Sequence, residues 1–410
     1  MRPLINNQPE TGETIPFGVT PIREIKFDPK CRDETTKLLR GLQEIYLDEE
    51  SRKATFEILK TMPPEETSLN KGRSGMALWT IFVLGMLRLG CNWDYDKLKN
   101  SFDNHKKIRQ MTGLDIIFDQ DEITSLQSIH DNVALFTEDV ADQINQVVIN
   151  FGHRKLFPKA EELHTRCDSF VVLSNVHYPT DLNLLKDCVR KSISLCTISA
   201  EKLGLPGWRQ HESMQNKFRA IYNRMSKMRY SNSENDEVKE KRKLEIHAEI
   251  RRYLNEASKA FIKAIEYQEL IGGEVTDLDN FLSYGSLLMD QITRRIFNNE
   301  TIPPEEKIYS VFEPYTEWIC KGKAGVRQEL GVKVCVVEDQ FGFILNHRVM
   351  QNEQDKDVAF GMAQKCQELF PKLASMSFDK GFHSALDDNG KNNSINIKEQ
   401  LEVTPYLPAK

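Results

Sequence analysis

Two aspartates at the edges of strand-like segments are the residues of this sequence best suited to chemistry. Asp168 precedes the β-branched and aromatic run 169–173, and Asp379 directly follows the short apolar run 373–378. Carboxylates that are distant in sequence converge when neighbouring strands carry them, and Mg²⁺ prefers such oxygen ligands. Two divalent ions held by acidic side chains activate the attacking oxygen and stabilise the leaving oxygen in phosphodiester chemistry. The pair therefore predicts metal-dependent chemistry on a phosphodiester.

The alternative for either aspartate alone is a cap on a turn or a helix. Asp181 is expected to cap the helix that follows it, and Asp339 lies in a predicted hairpin turn, where aspartate is favoured for backbone reasons. His177 and His383 lie near the two proposed acids in the sequence. Nothing in their spacing requires metal ligation, so we expect both to hydrogen-bond within the fold.

The composition is that of an ordinary globular protein. With 410 residues, 40% hydrophobic and 28% charged, the chain can form two or three domains, and disorder is disfavoured. The net charge of −6 does not indicate nucleic acid, although a basic excess at 209–252 is compatible with DNA binding. Eight cysteines without a C-x-x-C pair predict a reduced, cytoplasmic protein. The longest apolar run, 76–89, is too short to span a bilayer, so no membrane association is expected.

Hydrophobic periodicity divides the chain into a helical part and a part that alternates strands with helices. We expect a polar leader at 1–30, a helical domain at 31–155, and an α/β (α+β) domain at 160–410 with a helical insertion at about 185–300. The strand and helix order of the last domain, apart from the insertion, is that of a ribonuclease-H-like mixed sheet. The predicted helices are short amphipathic helices within 33–59, then 75–90, 92–104 with Asp94 as N-cap, 105–111, 124–136, 137–150 ending at Gly152, and 355–369; the predicted strands are 169–173, 308–319, 331–337, 342–350 and 373–378.

Basic side chains accompany the short helices of the first domain. A helix-turn-helix module would place one helix in the major groove of DNA while basic neighbours contact phosphates. The alternative is an ordinary helical bundle with solvated lysines, which composition alone favours. The basic residues taken as DNA-contacting candidates are Arg73, Arg88, Lys97, Lys106 and Arg109.

Several motifs resemble the DDE transposases of bacterial insertion sequences. The segments 168–172 and 177–181 resemble the first catalytic block of this family, and 379–384 resembles the second. The resemblance covers roughly residues 30–410 and favours DNA binding by the helical domain. Further matches are 312–319, 321–325 and 329–333 between the two blocks, and 72–76 and 92–98 in the helical domain.

The resemblance implies an enzyme that binds double-stranded DNA at the terminal inverted repeats of its element, acts as a homo-oligomer on DNA, and transfers the cut strand into target DNA. Asp168 would be the first acid and Asp379 the second acid of a metal-bound Asp-Asp-Glu triad that holds two Mg²⁺ or Mn²⁺ ions. Lys380 would contact a phosphate, and Gly381 would let the backbone approach DNA closely. The pair Lys321 and Lys323 would also meet phosphates, with solvated loop lysines as the alternative.

One departure from the family concerns the third acid, a glutamate on a helix beyond a segment like 403–410. We expect this acid to lie beyond residue 410, because Glu399 and Glu402 are in the wrong block to replace it. The absent helix should also leave apolar sheet surface exposed. Two hypotheses follow: a transposase impaired by the missing acid, or a catalytically inactive protein that only binds DNA in a sequence-specific way.

Overall fold

The computed structural model describes residues 2–5, 18–64, 75–115, 124–159, 161–273, 275–320, 328–387 and 390–407. Within these ranges the chain forms thirteen α-helices and one mixed sheet of six strands, so the predicted α/β class is confirmed. The chain divides into two compact units. The first contains Met1–His164 with Asp339–Leu345, and the second contains Thr165–Glu338 with Asn346–Lys410. None of the helices in the described ranges combines the length and apolar content needed to cross a bilayer.

The first unit is built around helix α3 (Leu78–Gly90), which is predominantly apolar and largely buried. Trp79 at its start is fully buried, and its indole Nε1 donates to the carbonyl of Met111 over 2.9 Å. The surrounding helices bury one apolar face each against this centre. The helices are α1 (Glu34–Leu47), α2 (Glu49–Lys60), α3 (Leu78–Gly90), α4 (Tyr95–Asn104), α5 (Lys106–Met111), α6 (Leu126–Val133) and α7 (Glu138–Leu156), preceded by a 3₁₀ turn at Ile22–Glu24.

Side-chain caps fix where these helices begin. Asp94 accepts from the backbone N–H of Lys97 over 2.7 Å, which confirms its predicted role as N-cap of α4. The short amphipathic helices predicted within 33–59 are α1 and α2, which are separated at Asp48 because this residue ends α1 and caps α2. The predicted helix end at Gly152 is wrong. A Cβ at Gly152 would lie 2.2 Å from Cζ of Phe343, so this glycine serves close packing inside α7.

The six-stranded sheet has the order β2-β3-β1-β5-β6, with β4 paired to β3. Strands β2 and β3 are antiparallel with Glu317 opposite Gly331, and β5 and β6 are parallel with Ser375 opposite Thr404. The sheet is therefore mixed, as predicted. The strands are β1 (Leu163–Leu173), β2 (Glu317–Cys320), β3 (Gln328–Asp339), β4 (Ile344–Met350), β5 (Leu373–Phe378) and β6 (Thr404–Tyr406).

Two strand predictions need correction. Asp168 does not precede its strand but lies in the middle of the 11-residue β1. The strand predicted at 308–319 is reduced to β2, because the residues before it form a turn. There the hydroxyl of Ser310 accepts from the N–H groups of Phe312 and Glu313, over 3.2 and 3.0 Å, and the carbonyl of Glu313 accepts from Thr316.

The predicted helical insertion is a bundle of four helices. Tyr253 is fully buried at its centre, where it stacks on Phe218 with ring centroids 4.7 Å apart and donates to the carbonyl of Leu182 over 2.7 Å. Helix α12 and strand β5 have the predicted bounds, whereas α13 was not predicted. The helices of the second unit are α8 (Asp181–Leu203), α9 (His211–Lys227), α10 (Asp236–Ile271), α11 (Leu278–Phe297), α12 (Asp355–Leu369) and α13 (Asn393–Leu401), with 3₁₀ turns at Pro304–Glu306 and Lys380–Phe382.

Strand β3 approaches β1 closely at Gly331, and a substitution there tests this contact. A Cβ at this position would lie 2.1 Å from the backbone carbonyl oxygen of Val172, which cannot rotate away. Gly331→Ala should therefore lower the free energy of unfolding by about 1–3 kcal/mol. The matched control is Gly361→Ala inside α12, where the added Cβ would meet no atom of the described residues within 4 Å apart from its own helix, and alanine should add roughly 0.5–1 kcal/mol. Urea unfolding of both variants checks the prediction, and equal stability of the two would contradict it.

An ion cluster on Asp48 connects the first two helices with α7. The Asp48 side chain is only 11% exposed; Lys155 Nζ lies 2.9 Å from Oδ1, and Arg154 contacts Oδ2. Ser51 donates to Oδ2 through its N–H and its hydroxyl, over 3.1 and 2.7 Å. Burial raises the pKa of Asp48, but the hydrogen bonds from Lys155 and Ser51 outweigh it and hold the pKa well below its ordinary value.

Because the pKa of Asp48 is lowered in the folded state, the contribution of this residue to stability depends on pH. A carboxylate whose pKa is lower in the folded than in the unfolded state stabilises the fold above the unfolded pKa, and this contribution is lost as the pH falls through the folded pKa. The stability difference between the native chain and Asp48→Asn should be constant from neutral pH down to about 5 and shrink below about 4. Urea midpoints across this pH range measure it. A difference that grows on acidification would contradict the assignment.

Candidate active site

Asp168 reaches the open face of the sheet because side chains alternate along β1. Thr165 and Cys167 are buried on one face, whereas Arg166 and Asp168 are exposed on the other. The Asp168 carboxylate accepts from the N–H of the next residue, Ser169, over 2.8 Å through Oδ1. The strand therefore presents one oxygen of this carboxylate to its own backbone and leaves the side chain accessible.

The direction of β1 relative to its neighbours follows from contacts at both ends of the strand. Arg166 Nε donates to Glu338 over 2.7 Å, and Ser174 N–H donates to the carbonyl of Leu330 over 3.0 Å, so β1 and β3 are antiparallel. On the other side, Thr165 bonds the carbonyl of Ser375 over 3.1 Å. Strand β1 therefore lies in the centre of the sheet between β3 and β5.

Asp379 follows the last residue of β5 and begins a short 3₁₀ turn. Its Oδ1 accepts from the N–H of Gly381 over 2.8 Å, which closes the turn. Phe382 is fully buried and packs against Phe378 with ring centroids 5.4 Å apart. The exposed aspartate is thus held on a turn that is anchored by an aromatic side chain on each side.

Asp355, the first residue of α12, lies close to Asp379 and bonds Ser169, the residue after Asp168, whose side chain points to the face of β1 opposite Asp168. Its Oδ1 accepts from the Ser169 hydroxyl over 2.7 Å and lies 3.3 Å from Lys333 Nζ. A Cβ at Gly381 would lie 2.8 Å from Asp355 Oδ2 and 3.1 Å from Asp379 Oδ1. The neighbour of Asp168 and the carboxylate of Asp379 therefore meet at one carboxylate. Thr165 is bonded to Ser375, and four residues later in each strand Ser169 and Asp379 approach the same carboxylate. Strands β1 and β5 therefore run in the same direction.

Sequence reasoning did not single out Asp355. An acidic residue in the first turn of a helix is common, because it interacts favourably with the helix dipole and with unpaired N–H groups. The only signal was its position in the chain, after β4 and one strand before Asp379. Without the sheet order, that position does not distinguish a site residue from an ordinary helix start.

The donor set consists of carboxylate oxygens, which fit Mg²⁺ or Mn²⁺ better than softer metals. Asp168 and Asp379 each use Oδ1 for a backbone N–H, and Oδ2 of each accepts no hydrogen bond from the described residues. The described ranges contain no group of three His, Cys, Asp or Glu residues that could hold a metal ion.

The remaining DNA-contacting candidates differ in their surroundings. Arg88 is half-buried and its guanidinium lies 4.5 Å from the ring centroid of Tyr95, while Lys97 Nζ lies 5.7 Å from that of Trp93. Lys106 and Lys380 are exposed, and Arg109 is half-buried. The predicted contacts of Arg73, Lys321 and Lys323 lie outside the described residues.

Polar residues near the site have structural roles. His177 Nε2 lies 2.7 Å from Asp187 Oδ2, and His383 Nδ1 lies 2.9 Å from the carbonyl of Ser384, as expected of hydrogen bonding within the fold. Asp181 does not cap α8. Its carboxylate pairs with Arg295 at 3.0 Å, and the N-cap is Thr180.

The turn residue Asp339 has its predicted role, whereas the segment 169–173, whose β-branched and aromatic composition is typical of a buried strand, is largely exposed. Asp339 Oδ1 accepts from the N–H groups of Phe341 and Phe343 over 2.9 Å each, which is the predicted backbone role. On β1, Phe170 and Val172 are 48% and 50% exposed on the same face as Asp168. Apolar sheet surface is therefore exposed beside the candidate site.

Comparison with known proteins gives no match. No protein-family model fits the chain, and no curated protein and no solved structure is similar to it. The function must therefore be inferred from the chain's own residues.

The contact between Asp355 and Lys333 can be measured by a double-mutant cycle. Asp355→Ala and Lys333→Met should each cost about 1–3 kcal/mol, because each leaves a partly buried charge without its partner. The double variant should be more stable than the sum of the two changes predicts, by roughly 0.5–3 kcal/mol. Urea unfolding measures all four proteins. Strict additivity would mean that Lys333 does not support Asp355.

Proposed function

We propose that this chain is a DNA strand-transferase of the DDE transposase class, with a ribonuclease-H-like sheet as its catalytic domain. The observation that carries the proposal is the position of the two exposed acids: Asp168 lies on the central strand β1, and Asp379 follows the last residue of its neighbour β5. Acids on adjacent strands can hold the divalent ions that act in metal-dependent cleavage of a phosphodiester. The exposed face of β1 leaves room for a duplex to approach them.

In this proposal Asp168 and Asp379 hold Mg²⁺ or Mn²⁺, which would act as a Lewis acid on a phosphoryl oxygen. The second oxygen of each carboxylate is left for this role, because the first accepts a backbone N–H. Those N–H bonds fix the orientation of both carboxylates before DNA arrives. A site fixed in this way loses less entropy when the substrate binds.

The neighbouring cations and the glycine have separate tasks. Lys333 offsets the negative charge of Asp355, so that Asp355 and the nearby Asp379 repel each other and a phosphate less strongly. Exposed Lys380, next to Asp379, supplies a positive charge for a DNA phosphate. Gly381 keeps the space between Asp355 and Asp379 open, since any Cβ there would press on both carboxylates.

The second candidate function is sequence-specific DNA binding without catalysis. It is favoured by the finding that no three metal-ligating side chains cluster in the part of the chain that the structure describes. A two-ion centre needs more ligands than two carboxylates provide. Under this hypothesis the chain would bind terminal inverted repeats and compete with an active enzyme.

Strand cleavage decides between the two functions. The substrate is linear duplex DNA that carries the sequences flanking the gene for this chain, incubated with Mg²⁺ or Mn²⁺. If the chain is an enzyme, Asp168→Asn and Asp379→Asn should each lower the cleavage rate on the order of a thousandfold or more, because each removes a charged metal ligand. Both variants should still bind the DNA, since neither change removes a cation.

The control for this assay is Asp131→Asn, which changes an exposed aspartate of α6 and should leave the rate unaltered. Specific binding by the native chain without cleavage would support the second function. Failure to bind duplex DNA at all would exclude both.

A further inference from the structure

A small pocket with a cationic rim lies between α8 and α9 of the helical insertion. Its volume is about 230 Å³, which is room for a phosphate group with part of the sugar that carries it. Three cations line it, Lys186 and Arg190 from α8 and Arg219 from α9, together with the side-chain amides of Gln215 and Asn223. The floor is apolar and includes the buried ring of Phe218.

The charges of this pocket are poorly compensated. Lys186 and Arg219 form no ion pair within the described residues, and Lys186 Nζ instead lies 4.7 Å from the ring centroid of Tyr222. The one acid of the lining, Asp187, is buried and already bonded to His177 at 2.7 Å, while Arg190 Nε lies 3.7 Å from its other oxygen. A positive excess therefore remains at the rim.

Two other basic residues of α9 are neutralised. On α9, Lys217 pairs with Glu256 at 2.8 Å and Arg224 pairs with Glu249 at 3.1 Å, both on α10. Part of the basic excess of this segment therefore forms ion pairs that connect α9 with α10. Arg219, between these two residues on the same helix, forms no ion pair with the described residues and stays available to a ligand.

We propose that this pocket binds a phosphate group, and that in the proposed function this is a phosphate of the DNA backbone. Arg219 and Arg190 would donate charge-assisted hydrogen bonds, Lys186 would add a point charge, and the two amides would complete the donor set. The apolar floor would exclude water behind the phosphate, which strengthens these bonds. The identity of the ligand as DNA rests on the proposed function, whereas phosphate binding rests on the pocket alone.

The test compares Arg219→Gln with Arg224→Gln. Both replace an exposed arginine of α9, but only the first changes the pocket. The affinity of the full chain for a duplex is measured as a function of salt concentration. Arg219→Gln should weaken binding about tenfold and reduce the dependence of log Kd on log salt concentration by roughly one unit, because one phosphate contact is lost. Arg224→Gln should stay within about twofold of the native chain.

A second arm uses inorganic phosphate without DNA. Phosphate should raise the thermal midpoint of the native chain and of Arg224→Gln relative to chloride at equal ionic strength, and should not do so for Arg219→Gln. Asn223→Asp, which places a negative charge on the rim, should abolish both effects. Circular dichroism of each variant confirms that it is folded before it is assayed.

Each combination of results has a defined meaning. Equal loss of DNA affinity in Arg219→Gln and Arg224→Gln, or no stabilisation by phosphate in the native chain, would contradict the assignment of this pocket as a phosphate-binding site. Stabilisation by phosphate that depends on Arg219, with no binding of duplex DNA, would support the phosphate pocket and overturn the proposed function. Dependence of both readouts on Arg219 would support both.

Discussion

The central position of β1 controls which side chains reach the candidate site, because this strand is hydrogen-bonded on both sides. A slip of one residue would turn every side chain of β1 to the opposite face. Cys167 would then be exposed and Asp168 buried. The present register is favoured by the core contact of Cys167 with Cys335, whose sulfur atoms lie 3.3 Å apart. The hydrogen bond to Cys335, together with burial, raises the pKa of Cys167, so the thiol stays neutral and suits an apolar core.

Helix α12 extends this control from β1 to Asp379. Val358, Met362 and Cys366 are buried at helical spacing, so the packing of α12 fixes its rotation about its own axis. That rotation sets where Asp355, at the first position of the helix, meets Ser169, Lys333 and the turn at Gly381. The arrangement of the acids is thus a consequence of core packing at some distance from them. Changes in the buried face of α12 are therefore expected to move the site.

The sequence predicted those features that depend on local patterns. Asp94 as an N-cap, α12 with its bounds, and β5 followed by Asp379 all follow from short-range periodicity and capping chemistry. The turn at Asp339 follows for the same reason, since the carboxylate bonds N–H groups two and four residues away. These elements are specified by residues that are close together in the chain.

The features that were missed depend on contacts between distant residues. Gly152 lies within a helix because its lack of a side chain admits Phe343, and no local pattern reveals this. Asp355 belongs to the site only because α12 begins beside Ser169 and Gly381. The basic excess at 209–252 was compatible with DNA binding by composition. The fold pairs Lys217 and Arg224 of this segment with acids of the next helix, α10, which composition alone does not show.

The balance of charge limits how an acidic chain of net charge −6 could hold DNA. A field of this sign does not attract a polyanion over long distances, so rapid electrostatic steering is not available to the molecule as a whole. Affinity would then depend on a few cations without internal partners, and each would act within about one Debye length, roughly 8–10 Å. Lys380 and the rim of the pocket at Arg219 are of this kind, whereas the paired lysines and arginines of α9 are not. A small number of unpaired cations favours binding at a defined register, because the energy comes from particular phosphates and not from the average field of the duplex. DNA that is bound at a defined register would place one particular phosphodiester beside the two carboxylates, whose own positions are fixed.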